Sequence, residues 1–291
     1  MAVQLLDYRC EIDETNIKAA CYFPGISYDD FDRAGNISPW KISRMFESGR
    51  SILFRRFNYL DVSELKGDNA FTHFILGSHY TFDPCLWNMF SKDKNFPFKV
   101  TSELINLGQK SIAFKEVIIN LLDNKQLASY TGKLVYIDRK TKRPKNYPSW
   151  HSLKYSHAPT DNDVNISVNV TYIPETAFTW KFVVMPSDID NNGHTNQASY
   201  IRFFLDTAEM ARCAKHLHHF TSDICLYPIT TLSIMYKKEI LCGQEVSASV
   251  WESEAKPSIL NFALKKSGSN EGDDLAVVAT ASFRDNPSSK L

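Results

Sequence analysis

The chain has 291 residues, of which 43% are hydrophobic and 23% charged, a composition typical of a globular protein long enough for two domains. Its 33 basic and 33 acidic residues give a net charge of zero, which argues against binding to nucleic acid or to a membrane surface. No apolar run predicts a membrane span, and no secretory or transit segment is recognisable, so we expect a cytoplasmic protein with reduced cysteines.

The predicted elements form two similar series along the chain. In the first half, a strand at 16–24 precedes a helix that begins after Ser38. In the second half, a strand at 177–186 precedes a helix that begins after Asn196. Four more strands follow each helix, at 71–82, 97–106, 111–122 and 127–138 in the first half and at 227–240, 244–253, 258–267 and 275–284 in the second.

Both predicted helices carry an apolar stripe with helical spacing. Gly49 lies within the first stripe, where glycine costs about 1 kcal/mol relative to alanine. A close approach of the helix to a sheet would explain it, because no side chain would fit there. The stripes are Ile42, Met45, Phe46, Gly49 and Leu53 in the first helix, and Tyr200, Phe203, Phe204, Thr207, Met210, Ala211 and Ala214 in the second.

The segments that lead into the two helices are copies of one pattern. The sequence from Asp30 aligns without a gap with the sequence from Asp188, at an offset of 158 residues. An antiparallel sheet curled around one central helix would bury such an apolar helix. The sequence thus predicts an α+β protein with an N-terminal domain at 1–145, a linker at 146–168 and a C-terminal domain at 169–291.

Polar side chains alternate just before the second helix. Asp190, Asn192, His194 and Asn196 occupy every other position, and Glu239 lies in the first strand after that helix. At the matching positions the first copy keeps an acid, Asp32, but has no histidine and no counterpart of Glu239. We therefore predict one working site, in the second copy. A turn that only caps a helix is the alternative interpretation.

This arrangement resembles the hotdog fold of acyl thioesterases. It is most similar to plant-type acyl-ACP thioesterases, which are double hotdogs, and to the 4-hydroxybenzoyl-CoA thioesterase-like superfamily. The resemblance rests on the Asp190–Asn196 run, with its acid, amides and histidine, and on Tyr236-Lys237-Lys238-Glu239. The chain departs from the family in having Ile240 where the family has cysteine, and in a longer spacing between His194 and Glu239.

The resemblance implies hydrolysis of a fatty acyl-ACP or acyl-CoA thioester to free fatty acid and thiol by an activated water molecule. The implied catalytic residues are Asp190, Asn192, His194 and Glu239, with either Glu239 or Asp190 as the base. Backbone N–H groups of Gly193 and His194, at the start of the helix, are predicted to hold the oxyanion. The sequence contains no Gly-x-Ser-x-Gly motif, so a serine hydrolase is not expected.

The remaining predictions concern substrate and partners. We expect acyl-CoA or acyl carrier protein as substrate, no cofactor, no metal, and a monomer or homodimer. The histidines of the segment 216–219 have no ligand-spaced Cys or acid beside them. A non-catalytic acyl-CoA or lipid-binding protein and a hotdog hydratase or dehydratase remain open as alternatives. The predicted substrate-binding residues are Asn196, Tyr200, Ile42 and Phe46.

Overall fold

A computed structural model describes residues 9–67, 69–87, 96–159, 164–267 and 275–284. No helix in these ranges is long and apolar enough to cross a bilayer. The described residues divide into two compact units. The first unit comprises those within Met1–Tyr28, Arg44–Ile75 and Asp93–Val164, and the second those within Asp29–Ser43, Leu76–Lys92 and Asn165–Leu291.

The first unit contains an antiparallel sheet with the strand order β1-β2-β4-β5-β6. Buried and half-buried side chains alternate along Phe98–Leu107, as expected for a sheet with one face on a core, whereas Ser111–Asn120 and Gln126–Asp138 also contain runs of consecutive buried residues. Helix α2 (Val62–Leu65) and helix α3 (Ser149–Lys154) also lie in this unit. The strands are β1 (Cys10–Ile12), β2 (Lys18–Phe23), β4 (Phe98–Leu107), β5 (Ser111–Asn120) and β6 (Gln126–Asp138); β3 (Phe71–Phe82) is divided between the two units after Ile75.

Helix α1 (Pro39–Arg56) packs on this sheet through its residues from Arg44 onward. A Cβ added to Gly49 would lie 2.9 Å from both Cβ and Cγ1 of Val100 on β4. The ring of Phe46 lies 5.6 Å from that of Tyr130 on β6, between centroids. The close approach predicted at the mid-helix glycine is therefore confirmed.

The same core contains a buried ion pair. Arg50 on α1 places Nη1 2.8 Å from Oε2 of Glu116 on β5, whose side chain is 0% exposed. The Arg50 guanidinium also lies over the rings of Phe114 and Tyr130. Burial raises the pKa of Glu116 to about 7, although the nearby Arg50 acts in the opposite direction. The other carboxylate oxygen, Oε1, has no hydrogen-bond partner among the described residues.

The second unit is built in the same way around helix α4 (Gln197–Cys213). Its sheet has the strand order β3-β8-β11-β10-β9-β7. The ring of Phe203 lies 4.7 Å from that of Phe182 on β7, and the ring of Phe204 lies 5.0 Å from that of Phe262 on β10. Its strands, besides the end of β3, are β7 (Phe178–Val183), β8 (Ile229–Tyr236), β9 (Glu245–Glu252), β10 (Ile259–Lys266) and β11 (Leu275–Phe283).

The predicted α+β class and central helices are confirmed, with local differences. The apolar stripe of α4 is shorter than expected, because Met210 is 44% exposed and Ala214 lies beyond the helix end. Strand β1 was not predicted. The strand predicted at 227–240 ends at Tyr236, because the next two N–H groups both donate to the single carbonyl of Ala276 and the ladder stops there.

The two units do not follow the predicted domain boundaries. Residues 29–43 and 76–92, predicted for the N-terminal domain, group with the second unit. The predicted linker 146–168 includes helix α3, and only 160–163 of it lie outside the described residues. Within that segment His151 and Tyr155 are almost fully buried, and the Tyr155 hydroxyl donates to Asp61 Oδ2 at 2.9 Å. This part of the segment is therefore packed on the first unit.

Candidate active site

A tight turn precedes α4 and carries the predicted catalytic run. The Asp190 N–H donates to the His194 carbonyl at 2.8 Å, and the Gly193 N–H donates to the Asp190 carbonyl at 3.0 Å. Gly193 has a φ of 82°, which L side chains rarely adopt, and a Cβ built there meets no atom within 4 Å. The glycine is thus required by the turn, and the space beside it is open.

The turn before α1 repeats this geometry. The Asp32 N–H donates to the Asn36 carbonyl at 2.8 Å, and the Gly35 N–H donates to the Asp32 carbonyl at 2.9 Å. Gly35 has a φ of 76°. The backbone therefore confirms the repeat that the sequence offset indicated.

The two turns differ in the side chains they carry. In the second turn, His194 Nε2 lies 3.3 Å from Glu239 Oε2, and the two side chains are 23% and 34% exposed. The first copy has Asn36 and Thr81 at the matching positions. The Asn36 amide donates to the Cys225 carbonyl at 3.1 Å, which is a structural contact. Within the described residues, the histidine–carboxylate pair thus belongs to the second turn.

Glu239 is positioned by its neighbour in the chain. Because β8 ends at Tyr236, Glu239 lies in the segment that follows the strand and not in the strand itself. The next residue, Ile240, is fully buried, and its carbonyl accepts both the N–H of Thr195 at 3.0 Å and the Thr195 hydroxyl at 2.8 Å. Since Thr195 directly follows His194, these two bonds hold the imidazole and the carboxylate together.

The predicted oxyanion donors both make hydrogen bonds within the turn, and their contact with an oxyanion stays a prediction. The Gly193 N–H is bonded to the Asp190 carbonyl, and the His194 N–H points to Asp190 Oδ1 at 3.3 Å. Asp190 also accepts the backbone N–H of Asn192 at 2.8 Å and its side-chain amide at 3.2 Å. The physical reason is the positive φ of the glycine, which folds these groups back onto the aspartate. Asp190 therefore shapes the turn.

Asn196 and Tyr200, predicted to bind substrate, are buried. Asn196 is 0% exposed, and its Oδ1 accepts the Ala198 N–H at 2.8 Å, so it serves as the N-cap of α4, while its contact with substrate stays a prediction. Tyr200 is 5% exposed and packs on Tyr236, with ring centroids 5.6 Å apart. Burial raises the pKa of Tyr200 to about 12, despite a hydrogen bond with the Thr195 side chain. Its hydroxyl therefore stays protonated at neutral pH.

The other two predicted substrate-binding residues lie in the cores of separate units. Ile42 belongs to the second unit and Phe46 to the first, and each is 1% exposed. Phe46 packs on Tyr130, as described above. Contact of either side chain with an acyl chain stays a prediction.

A cavity of about 80 Å³ lies beside the first turn, and sequence reasoning did not foresee it. Its lining includes Asp32 and Trp40 near the start of α1, Asp206 on α4, and Cys225, whereas neither His194 nor Glu239 lines it. Burial raises the pKa of both Asp32 and Asp206. The sequence pattern could not show that 29–43 would pack against the middle of α4.

The described residues contain no group of three His, Cys, Asp or Glu side chains placed to hold a metal ion. In the histidine-rich segment, the ring of His216 lies 5.3 Å from that of Phe178. The backbone N–H of His219 donates to Glu252 Oε1 at 2.7 Å. These contacts are structural.

Known proteins share the fold of this chain and part of its sequence pattern. Residues 172–284 match the family model of the acyl-ACP thioesterase C-terminal domain. The chain is similar to the crystal structure of an acyl-ACP thioesterase from Bacteroides thetaiotaomicron, with 17% identity and a TM-score of 0.68 over 94% of this chain and 100% of that one. It is also similar to a 12:0-ACP thioesterase from Umbellularia californica, with 14% identity and a TM-score of 0.66 over 92% and 97%. No curated protein sequence gives a significant match.

The fold is therefore the double hotdog of acyl thioesterases. The matched residues include the whole Asp190–Asn196 run and Glu239. Residues 172–284 are thus similar to an acyl-ACP thioesterase C-terminal domain, and this similarity indicates a thioester hydrolase.

Proposed function

We propose that the chain hydrolyses the thioester of a fatty acyl-ACP or acyl-CoA, and that the His194–Glu239 pair activates the attacking water. The observation that carries this proposal is the 3.3 Å contact between the imidazole and the carboxylate, both of which are partly open to solvent. A thiolate leaves readily, because its conjugate acid has a pKa near 8.5, so the protein mainly has to supply a base and a stabilised oxyanion.

Glu239 is the base in this proposal. The alternative base, Asp190, already accepts three hydrogen bonds, from two N–H groups of the turn and from the Asn192 amide. Glu239 takes the proton of the water, whose oxygen attacks the thioester carbon. His194 holds Glu239 and the water in line. A base placed in this way contributes about 10²–10⁴-fold to the rate.

The oxyanion requires a donor other than the backbone pair of the turn. The Asn192 side chain is exposed and has two N–H donors, of which Asp190 Oδ2 needs one. We assign the second donor to the thioester oxygen, where one such hydrogen bond is worth about 3 kcal/mol. Tetrahedral collapse then expels the thiolate and leaves the free fatty acid.

The experiment is a panel of acyl-CoA and acyl-ACP substrates of increasing chain length, with released thiol and free fatty acid measured together. The proposal expects equal amounts of both products from at least one carrier. His194→Ala should slow release at least about 100-fold, whereas His218→Ala, a matched change at an exposed histidine, should not. Tight binding with no thiol released would refute hydrolysis, and loss of the ultraviolet absorbance of an enoyl thioester would indicate a hydratase. A cytoplasmic location stays a prediction from the sequence.

A further inference from the structure

Two cysteines face each other across the edge of the sheet in the first unit. Cys10 on β1 is the direct partner of Cys21 on β2 in the antiparallel register. Their Sγ atoms are 3.0 Å apart, and both thiols are free. Neither residue belongs to the site described above, and both lie in the first unit.

The backbone places this pair at a position that can accept a disulfide. The Tyr22 N–H donates to the Arg9 carbonyl at 2.9 Å, so the hydrogen bonds flank the Cys10–Cys21 pair and do not join it. At such non-hydrogen-bonded positions the side chains of the two strands approach most closely, with Cα atoms about 4.5 Å apart. This spacing lies within the range of about 4.4–6.8 Å found in disulfides.

The local structure also indicates what a disulfide would stabilise here, namely the pairing of β1 with β2. β1 has three residues and lies at the end of the strand order, where β2 is its neighbour. So short an edge strand gains little from pairing alone. A covalent link between residues 10 and 21 would remove conformations of the unfolded chain in which the two strands are separate.

We propose that Cys10 and Cys21 are a disulfide-forming pair that joins β1 to β2 when a disulfide oxidant such as glutathione disulfide is present. Cys10 is partly exposed and Cys21 is fully buried, so the oxidant reaches Cys10 first. The Cys10 thiolate attacks one sulfur of glutathione disulfide, and the first glutathione leaves. Cys21 loses its proton and attacks Sγ of Cys10, which expels the second glutathione. The two protein thiols lose two electrons, and the oxidant becomes two glutathione thiols that carry the two protons.

Burial raises the pKa of both thiols, and for Cys10 the hydrogen bond with Cys21 and the charge of Arg56 act in the opposite direction. This agrees with attack by Cys10. It also indicates a structural cross-link and not a fast catalytic dithiol, because catalytic cysteines have lowered pKa values.

Peptide mapping of the full chain tests the pair. The exposed Cys213 and Cys242 are first replaced in the variant Cys213→Ser/Cys242→Ser, which removes the most accessible competing thiols. After incubation with excess glutathione disulfide and blocking of remaining thiols, trypsin cuts after Arg9, Lys18 and Arg33. If the Cys10–Cys21 disulfide forms, peptides 10–18 and 19–33 should be joined by it until dithiothreitol reduces the bond. Two separate peptides, unmodified or each carrying glutathione, overturn the proposal.

Thermal unfolding gives a second readout. The oxidised protein should melt on the order of 5 °C above the reduced protein. Cys10→Ser should remove this difference, whereas Cys85→Ser, a change at another partly exposed cysteine, should preserve it. An equal shift in the Cys10→Ser variant would show that another pair is responsible. The peptide mapping does not use the Cys10→Ser variant, so its result does not depend on how well that variant folds.

Discussion

The substitution Gly49→Ala tests the helix–sheet contact of the first unit. In a helix with free space around the position, this change stabilises the folded state by about 1 kcal/mol, because glycine loses more backbone freedom on folding than alanine does. Here the added methyl would lie 2.9 Å from two carbon atoms of Val100, whereas carbon atoms in contact are normally about 3.5–4.0 Å apart. Relieving such overpacking costs about 1–3 kcal/mol. We therefore expect a net loss of about 1 kcal/mol.

Urea unfolding followed by circular dichroism measures this loss. Ser48→Ala is the matched control, because Ser48 precedes Gly49 in the same helix and is exposed. The control should be neutral or slightly stabilising, since it changes helix propensity alone. If Gly49→Ala were as stable as Ser48→Ala, the close approach to Val100 would not limit the packing, and our explanation of the glycine would be wrong.

Three further predictions concern buried and positioning groups. Arg50→Ala should lower the free energy of unfolding by about 3–5 kcal/mol at pH 8, because it leaves the buried Glu116 carboxylate without its partner. The folded-state pKa of Glu116 is raised above its ordinary 4.5 to about 7, so folding binds a proton between these values and this group's contribution to stability falls as pH rises from about 4.5 to 7. Urea titrations of Glu116→Gln at several pH values should lack this decline, and an identical pH dependence in wild type and variant would contradict the assignment. Thr195→Val should lower kcat roughly 10-fold and leave KM within about twofold of the wild-type value, because it removes the hydroxyl bond to the Ile240 carbonyl that positions Glu239. Thr195→Ser keeps that hydroxyl and should retain wild-type kcat. A loss expressed in KM alone would argue against a positioning role.

The sequence predicted the parts of the site that depend on local spacing. The acid and the glycine of the second turn recur at the offset that relates the two copies, so the common backbone of the two turns could be anticipated, although His194 is matched by Asn36. The family resemblance implied that His194 and Glu239 assist the same water molecule, and the structure shows a contact between these two side chains. What the spacing could not show was that Ile240 would be bonded to Thr195, because that contact joins segments 45 residues apart.

Hydrogen bonding within the turn was also beyond the sequence pattern. Gly193 and His194 were reasonable oxyanion donors by position, but the direction of their N–H groups depends on the backbone angles of the folded turn. The same limit applies to Asn196, whose side chain can cap a helix or face a substrate with equal ease. Polar residue types predict where a site lies more reliably than they predict which atoms remain available.

The segment 146–168 shows a different limit. Its Lys, Pro, Ser, His and Asn residues have little periodicity, which favours a linker interpretation. Yet Tyr155 is buried and accepts a hydrogen bond from Asn16 at 2.7 Å, across a sequence separation of 139 residues. Burial through a few long-range aromatic contacts leaves no periodic signal along the chain.

In the proposed mechanism, His194 and Glu239 act as one unit on the attacking water. A double-mutant cycle on kcat for a hydrolysed acyl thioester, with His194→Ala, Glu239→Gln and the combined variant, tests it most directly. We predict that each single change lowers kcat by at least about 100-fold and that the combined variant is no slower than the worse of the two. Single variants that retain wild-type kcat, or losses that multiply in the combined variant, would contradict the account.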